Sequence, residues 1–334
     1  MKISVAMCTY NGVRHLGEQL ASIAGQTRPP DELVVCDDCS GDATAGIVRE
    51  FAAAASFPVR LYVNDRNLGS TRNFEQAIGR CGGDLIALAD QDDVWRRDKL
   101  AQIERLFASP DRPGLVFSDA EVVGPDLRPL GHRVWEGVNI RFGARERRRC
   151  EAGRAFEVLL AREVVTGATM AFRAEFRDLV LPIPDGIKRI HDGWISLAIS
   201  AAAPVAFIAE PLIEYRQHPA QQMSVELPGQ EPGLLAEIRD GVGGEEARAL
   251  RRNYYRREIH ELEVLRERLR ERAGDFPCAG ALPKIEAKLA HLRARAEMPG
   301  ARLGRLPRVM RELATRRYHL FSRGLVSAAK DLLA

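Results

Sequence analysis

Three groups of polar residues in the first third of the chain have the types and spacing to bind a ligand that carries phosphate. They are Thr9-Tyr10-Asn11, Asp37-Asp38 and the run Asp90-Gln91-Asp92-Asp93. Closely spaced carboxylates are hard oxygen ligands that suit Mg²⁺ or Mn²⁺, and waters and substrate phosphates usually complete the coordination of such an ion. The sequence has neither G-x-x-x-x-G-K-[ST] nor G-x-G-x-x-G, the phosphate-binding signatures of P-loop ATPases and dinucleotide oxidoreductases. This combination favours a nucleotide-sugar enzyme.

The segments between these groups predict alternating strands and helices. Short apolar runs predict strands at Ile3–Met7, Glu32–Cys36, Val59–Val63 and Asp84–Ala89, with helical apolar spacing between them. Such alternation is typical of βαβ units in a doubly wound, mostly parallel α/β sheet flanked by helices. Open sheets of this kind bind ligands beyond the carboxyl ends of their strands, where the three polar groups lie. Turn chemistry alone explains any single group, but three on one edge predict a site.

Length and composition indicate a globular protein with more than one part. The chain has 334 residues, 46% hydrophobic and 28% charged, which excludes wholesale disorder, collagen and a disulfide-held miniprotein. We expect a domain at 1–225, with a nucleotide-sugar half at 1–95 and an acceptor and catalytic half at 96–225. A linker rich in Gly, Pro and acids follows at 226–247. The remainder, 248–334, predicts a helical extension with 21 Lys or Arg against 10 acids, whereas the preceding residues are net acidic.

Neither an export signal nor a membrane-spanning helix is predicted. The apolar run near the start ends by Thr9, and the longest weakly polar stretch, Ile195 to Ala209, is shorter than the roughly 20 apolar residues that a span needs. The six cysteines have no regular framework, so we expect reduced thiols and a cytoplasmic location. Cys36 and Cys39 match C-x-x-C, a redox or zinc pattern, but no second cysteine or histidine pair completes a zinc site.

Seven short motifs, in order along the chain, resemble those of the family 2 glycosyltransferases. They are Thr9-Tyr10-Asn11-Gly12, Val34-Val-Cys-Asp37-Asp38-Cys-Ser40-Gly-Asp42, Asn67-Leu-Gly69 with Asn73-Phe74, Ala89-Asp90-Gln-Asp92-Asp93-Val-Trp95, Thr166-Gly167, His191-Asp192-Gly-Trp194 and Tyr215-Arg216-Gln-His218. The D-Q-D-D-x-W and Y-R-x-H forms, with Arg317-Tyr318 and Ser322-Arg-Gly324 near the end, are most similar to bacterial rhamnosyltransferase-type members. The resemblance covers residues 1–225 well and the remainder loosely.

The resemblance implies a GT-A fold and an inverting transfer of a sugar, for which rhamnose is the candidate, from a nucleotide-diphosphate donor to a hydroxyl of a glycan or lipid-linked glycan. It also implies a divalent metal, Mn²⁺ or Mg²⁺. The implied general base is Asp192. The implied nucleotide-sugar-binding residues are Thr9, Tyr10, Asn11, Asp37, Asp38, Asn67, Asn73, Asp90 and Arg216, and the implied metal ligands are Asp92, Asp93 and His218. Asp38, or its neighbour Asp37, would accept a hydrogen bond from a pyrimidine N–H, and Arg216 and His218 would face the diphosphate.

Some of these residues also have ordinary structural interpretations. Asp192 opens an apolar helix and is a candidate for its N-cap. Trp95 and Trp194 are more typical of a core than of a sugar-stacking surface, and Arg145–Arg149 is more typical of a solvated loop than of a phosphate site. The alternative function is a catalytically silent nucleotide-sugar-binding or scaffold protein on the same fold. An intact acidic motif together with a candidate base favours the enzyme.

The basic region 248–334 has three interpretations. Nucleic-acid binding is disfavoured, because its arginines are interleaved with ten acids and its aromatic residues are few. Peripheral contact with an anionic membrane surface, on the inner face where a lipid-linked acceptor would lie, is the second. Packing on a partner or on the enzyme body is the third, and the sequence leaves these last two open.

Overall fold

The structure is a computed structural model, and it describes residues 1–219, 221, 225–226 and 245–333. Its strands within these residues are β1 Ile3–Thr9, β2 Glu32–Asp37, β3 Val59–Val63, β4 Leu85–Ala89, β5 Val94–Trp95, β6 Leu115–Val123, β7 Pro129–Arg133, β8 Met170–Arg173 and β9 Val205–Arg216. Its α-helices are α1 Leu16–Ala24, α2 Thr44–Ala54, α3 Ser70–Arg80, α4 Lys99–Phe107, α5 Ala144–Glu151, α6 Ala155–Ala161, α7 Arg177–Val180, α8 His191–Ser200, α9 Glu245–Glu271, α10 Leu282–Ala296, α11 Arg302–Ala314, α12 Arg317–Phe321 and α13 Leu325–Leu333.

The strands form one mixed sheet in the order β3-β2-β1-β4-β8-β6-β9-β5, with β7 paired to β6. The first four are parallel, with Ala6 of β1 opposite both Val34 of β2 and Leu88 of β4. Beyond them β8 runs antiparallel to β4 and to β6, and β9 runs parallel to β6. The predicted α/β fold with flanking helices and a helical extension is confirmed.

Strands β1, β2 and β4 are apolar because helices cover both of their faces, whereas β3 lies at the sheet edge and is half-buried. All seven residues of β1 and all five of β4 are buried. Helix α3 buries Phe74, Ala77 and Ile78 together with the amide of Asn73, while its other polar side chains are partly or fully exposed. The carboxyl ends of β1, β2 and β4 therefore lie along one edge of a rigid sheet.

Two structural interpretations from the sequence have clear outcomes. Trp95 and Trp194 are buried, and the Trp194 indole N–H donates to the carbonyl of Val180, so both belong to the core as predicted. The loop predicted at Arg145–Arg149 is wrong, because these residues lie in α5. The Glu146 carboxylate accepts the Gly143 N–H at the start of that helix. Near its end Cys150 is buried, so the helix that carries the basic run packs against the protein through this residue.

The chain divides into two compact units. The first contains Met1–Ala155, Glu163–Ile183 and Ile190–Pro228, and the second contains Phe156–Arg162, Pro184–Arg189 and Gly229–Ala334. Two short segments of the predicted 96–225 half thus belong to the second unit. Most of the predicted linker 226–247 lies outside the described residues, and α9 already begins at Glu245.

Buried charges hold the second unit together. The Arg189 guanidinium pairs with the buried carboxylate of Glu261. The Lys288 ammonium lies 2.6 Å from the Glu258 carboxylate and also donates to the carbonyl of Leu160. Paired in this way, the charges avoid the cost of an isolated buried ion. Among the described helices, none is both long enough and apolar enough to cross a membrane.

Candidate active site

The two residues that end β1 and β2 join their loops to each other. Asp37 is fully buried, and its carboxylate accepts the Thr9 hydroxyl at 2.7 Å and both the N–H and the hydroxyl of Ser40. Asn11, with φ 46°, accepts the Gly41 N–H through its side-chain oxygen at 2.9 Å. Asp37 and Asn11 thus hold the loops after β1 and β2 together, and neither residue lines the cavity described below.

Asp38 organises the segment that leads into α3. One carboxylate oxygen accepts the Leu68 N–H at 2.8 Å and the Asn64 amide at 2.9 Å, and the other accepts the Gly69 N–H at 2.8 Å. Gly69 has φ 83°, a left-handed conformation that glycine adopts without strain. A carboxylate has about four acceptor positions, so three bonds leave one position for a ligand N–H.

Two asparagines lie beside Asp38. The Asn67 amide donates to the main-chain carbonyl of Asp38 at 3.4 Å, and Asn73 in α3 donates to the carbonyl of Cys36 at 2.7 Å. Both line the cavity. Cys36 itself is buried, and burial raises its thiol pKa to about 11, which disfavours a redox role for the C-x-x-C pattern.

The acidic run after β4 concentrates negative charge in a small region. Burial, followed by repulsion from Asp92 and Asp192, raises the pKa of Asp90 to about 7. Burial, followed by repulsion from Asp92 and Asp90, raises the pKa of Asp93 well above its usual range. One Asp93 oxygen accepts the Arg216 N–H at 3.0 Å, and the other has no hydrogen-bond partner within the described part of the chain.

Two basic residues from the end of β9 contact this run. The Arg216 guanidinium donates to the carbonyl of Asp92 at 2.6 Å, to that of Pro125, and to the carboxylate of Glu18. His218 places its Nε2 2.9 Å from an Asp92 carboxylate oxygen. Arg216 also lines the cavity, so it braces the acidic loop at the cavity wall.

Asp192 lies at the start of α8, one residue inside the helix. The N-cap position is Ile190, so Asp192 is a first-turn acid and the N-cap interpretation is wrong. One carboxylate oxygen accepts the Gly193 N–H at 2.7 Å, and the other accepts the Gly167 N–H at 3.0 Å. Burial raises the pKa of Asp192 to about 6, even though these bonds favour the charged form.

A cavity of about 410 Å³ brings these residues together. Of the predicted site residues it is lined by Thr9, Tyr10, Asp38, Asn67, Asn73, Asp90, Asp92, Asp192 and Arg216. Asn11, Asp37, Asp93 and His218 lie outside its lining, although His218 contacts Asp92 directly. Tyr10 is 48% exposed, which is consistent with a surface that a ligand covers rather than with core packing.

Several residues that the sequence reasoning did not assign also shape the cavity. Gln91 bonds the Tyr10 backbone through both ends of its amide, at 2.8 and 3.0 Å, and leaves no room for a Cβ at Gly12. His191 lines the wall and stacks on Phe74, with ring centroids 4.1 Å apart. Outside the cavity lining, buried Lys99 donates to the carbonyl of Ala168 at 2.6 Å. Gln91, His191 and Phe74 lie within the motifs quoted above, and this position could have identified them as site residues from the sequence.

The fit of a divalent cation can be judged from the donor atoms. Asp92 and His218 offer a carboxylate oxygen and an imidazole nitrogen side by side. Within the described ranges, no three His, Cys, Asp or Glu side chains are grouped to hold a metal ion. One or two protein ligands suffice for an ion that substrate phosphates complete. The pair therefore fits such an ion, but not a closed all-protein metal site.

Residues 4–158 match the protein family described as glycosyl transferase family 2. This segment, which we call the family 2 segment, is thus similar to family 2 glycosyltransferases. This segment contains the acidic run and the loops after β1 and β2, but it ends before Asp192 and Arg216.

Curated relatives of the family 2 segment are distant. An uncharacterized glycosyltransferase of Nostoc sp. is 25% identical over 229 residues, covering 66% of each chain. An uncharacterized protein of Mycobacterium tuberculosis is 26% identical over 226 residues, covering 65% of this chain and 59% of that protein. The chain thus spans less than two thirds of the length of these relatives.

Solved structures support the fold. The crystal structure of Staphylococcus aureus TarS 1–349 in complex with UDP-GlcNAc has a TM-score of 0.55 and 16% identity, covering 100% of this chain and 90% of that one. At this level of identity the likeness shows a shared GT-A-type fold and nothing about substrates.

Proposed function

We propose that the chain is an inverting glycosyltransferase that moves a sugar from a nucleotide-diphosphate donor to an acceptor hydroxyl. One observation carries the proposal. The cavity is lined by motif residues of the family 2 segment, such as Asp38 and Asp92, and also by Asp192, a half-buried carboxylate from beyond that segment. A catalytically silent binding protein would need the first set but not the second.

Asp192 has the properties of a general base. Its two backbone bonds occupy about half of the acceptor positions of a carboxylate, so a hydroxyl proton can be accepted by the rest. A pKa raised to about 6 keeps the group mostly ionised near neutral pH and makes it a stronger base than an ordinary aspartate. In this proposal it removes the proton of the acceptor hydroxyl as that oxygen attacks the anomeric carbon.

The donor half of the proposal rests on the strand ends. Asp38 would accept a base N–H through its remaining acceptor position, and exposed Tyr10 would cover the base or ribose. Thr9, Asn67, Asn73, Asp90 and Arg216 would complete the nucleotide-sugar pocket, whereas Asn11 and Asp37 would support it through their loop contacts. Asp92 and His218 would hold the divalent metal, with Asp93 close by, and such an ion neutralises charge on a departing diphosphate.

The finer specificity is also a proposal. The D-Q-D-D-x-W and Y-R-x-H forms favour rhamnose as the sugar, and a glycan or lipid-linked glycan as the acceptor. The location that we propose is the cytoplasm, where the six unbridged cysteines would stay reduced.

A thermal-shift screen of nucleotide sugars with Mn²⁺ tests donor binding. A ligand present at about 100 times its Kd stabilises the native state by about 2.7 kcal/mol, so a true donor should raise the melting temperature clearly. The expected result is a shift with one pyrimidine-diphosphate sugar, followed by transfer of its labelled sugar to a glycan acceptor. A shift without transfer to any acceptor of a broad glycan panel would favour the silent binding protein, and no shift with any donor would refute the proposal.

A further inference from the structure

Helix α11 in the second unit carries apolar side chains on its outer side. Leu303, Leu306 and Met310 are 88%, 49% and 56% exposed. At 3.6 residues per turn they fall within about 60° of one another around the helix. Arg305, Val309 and Glu312 are buried and occupy the opposite side of the helix. The helix therefore has an inner side held by the protein and an apolar outer stripe, which we define as Leu303, Leu306 and Met310.

The neighbouring helices carry further exposed apolar side chains. Helices α11, α12 and α13 pack around a small core of Val309, Tyr318 and Ala328. On the outside of this group, Leu320 of α12 is 49% exposed and Leu325 of α13 is 67% exposed. Five large exposed apolar side chains on three packed helices exceed the scattered single residues that are normal on a protein surface.

Within residues 301–334, the exposed charges have one sign. Residues 301–334 contain eight Lys or Arg and only two acids, Glu312 and Asp331. Both acids are buried, and each is paired inside the unit, Glu312 with His291 and Asp331 with Arg295. The exposed charged side chains here, in contrast, include Arg311, Arg316 and Arg323. An apolar stripe on a segment whose exposed charges are cationic complements the surface of an anionic lipid bilayer.

We propose that the outer face of α11, α12 and α13 docks onto an anionic membrane surface. The stripe enters the boundary between headgroups and acyl chains, and the arginines contact the anionic headgroups. Binding strength at such a surface rises with buried apolar area and with electrostatic attraction, and it falls as salt increases. The proposal narrows the membrane contact expected for the whole basic region 248–334 to the last three helices.

Flotation of the full chain with vesicles tests this proposal. One vesicle type is pure phosphatidylcholine and the other also contains phosphatidylglycerol. We expect binding to the anionic vesicles only, weakened by salt. The variant Leu303→Ser/Leu306→Ser/Met310→Ser should bind about 100-fold more weakly, because three side chains no longer leave water on docking. The matched control Leu250→Ser changes a leucine that is 67% exposed on α9, and it should bind like the wild type.

Three results would overturn the proposal. The wild type could fail to bind anionic vesicles at low salt, or the triple variant could bind as well as the wild type. A wild-type dimer that becomes monomeric in the triple variant would assign the face to a second copy of the chain instead. The substituted side chains are exposed, so thermal melts of all variants should match the wild type and exclude misfolding as the cause.

Discussion

Asp38→Asn should weaken both the folded state and nucleotide binding. The wild-type carboxylate accepts N–H groups from Leu68, Gly69 and Asn64 at 2.8 to 2.9 Å, and its two oxygens share these bonds. In asparagine one of the two oxygens becomes a donor NH₂ group. Whichever way the amide turns, at least one backbone N–H then faces another donor.

The expected sizes follow from this geometry. A buried or part-buried N–H that loses its acceptor costs about 1–3 kcal/mol, so the free energy of unfolding should fall by that amount. The fold should persist, because total stability is typically about 5–15 kcal/mol. A ligand N–H bonded to a charged oxygen contributes about 1.5–3 kcal/mol, so the Kd for a pyrimidine nucleotide should rise by roughly 10- to 100-fold.

Asp37→Asn is the matched control. Asp37 is also buried and also accepts three hydrogen bonds, but it does not line the cavity. Urea unfolding should show a similar loss of stability in both variants, whereas calorimetric titration with UDP or dTDP should show the large affinity loss only in Asp38→Asn. The reasoning would be refuted if Asp37→Asn lost affinity while Asp38→Asn kept it, or if Asp38→Asn were as stable as the wild type.

Three further predictions concern the metal, the base and the second unit. Asp92→Asn should lose most activity and most metal-dependent donor affinity, because an amide is a poor ligand for a hard cation. The control Asp98→Asn, whose side chain is 40% exposed, should keep both. Full activity of Asp92→Asn in EDTA would refute the assignment of Asp92 as a metal ligand. Glu163→Gln should move the rise of the transfer rate to lower pH, since after burial the Glu163 charge also raises the pKa of Asp192, and a shift to higher pH would contradict this. Lys288→Met should lower the free energy of unfolding by about 3–5 kcal/mol, because Glu258 is left buried without its partner. The double variant Lys288→Met/Glu258→Leu should recover most of this loss. A single variant as stable as the wild type would refute the pairing.

Most of the parallel half of the sheet was predictable because β1, β2 and β4 are buried on both sides. A strand covered on two faces is a short apolar run, and the turn residues between runs mark its ends. The runs at Ile3–Met7 and Asp84–Ala89 therefore identified β1 and β4 with small errors at the ends. The order of β8, β6 and β9 was not predictable, since antiparallel insertion of β8 depends on contacts between segments far apart in the chain.

The residue types of the site were predictable, but not which of them line the cavity and which support its loops. The motifs indicated Asp37 and Asp38 equally, and only the fold turns Asp37 towards Thr9 and Ser40 and leaves Asp38 at the cavity wall. The sequence predicts that Arg216 faces a diphosphate. Its hydrogen bonds to Glu18 and Pro125 were not predictable, because these residues lie far from it in the chain and no local pattern connects them. The helix at Arg145–Arg149 was not predictable, because every residue of this run is charged and the buried residue of α5, Cys150, follows it.

The central claim is that Asp192 acts as the base in a sugar-transfer cavity, and single-turnover transfer by Asp192→Asn tests it most directly. General-base catalysis is worth about 10²- to 10⁴-fold, so the rate should fall by that factor while calorimetric donor affinity stays within a few-fold. Asp178→Asn, a change at an exposed first-turn acid of α7, should behave like the wild type.

The pH dependence of the same measurement separates the base from a structural acid. The wild-type rate should rise as pH increases through about 6, where Asp192 loses its proton, and the variant should lack this rise. Wild-type turnover by Asp192→Asn, or a loss of donor binding as large as the loss of rate, would contradict the account.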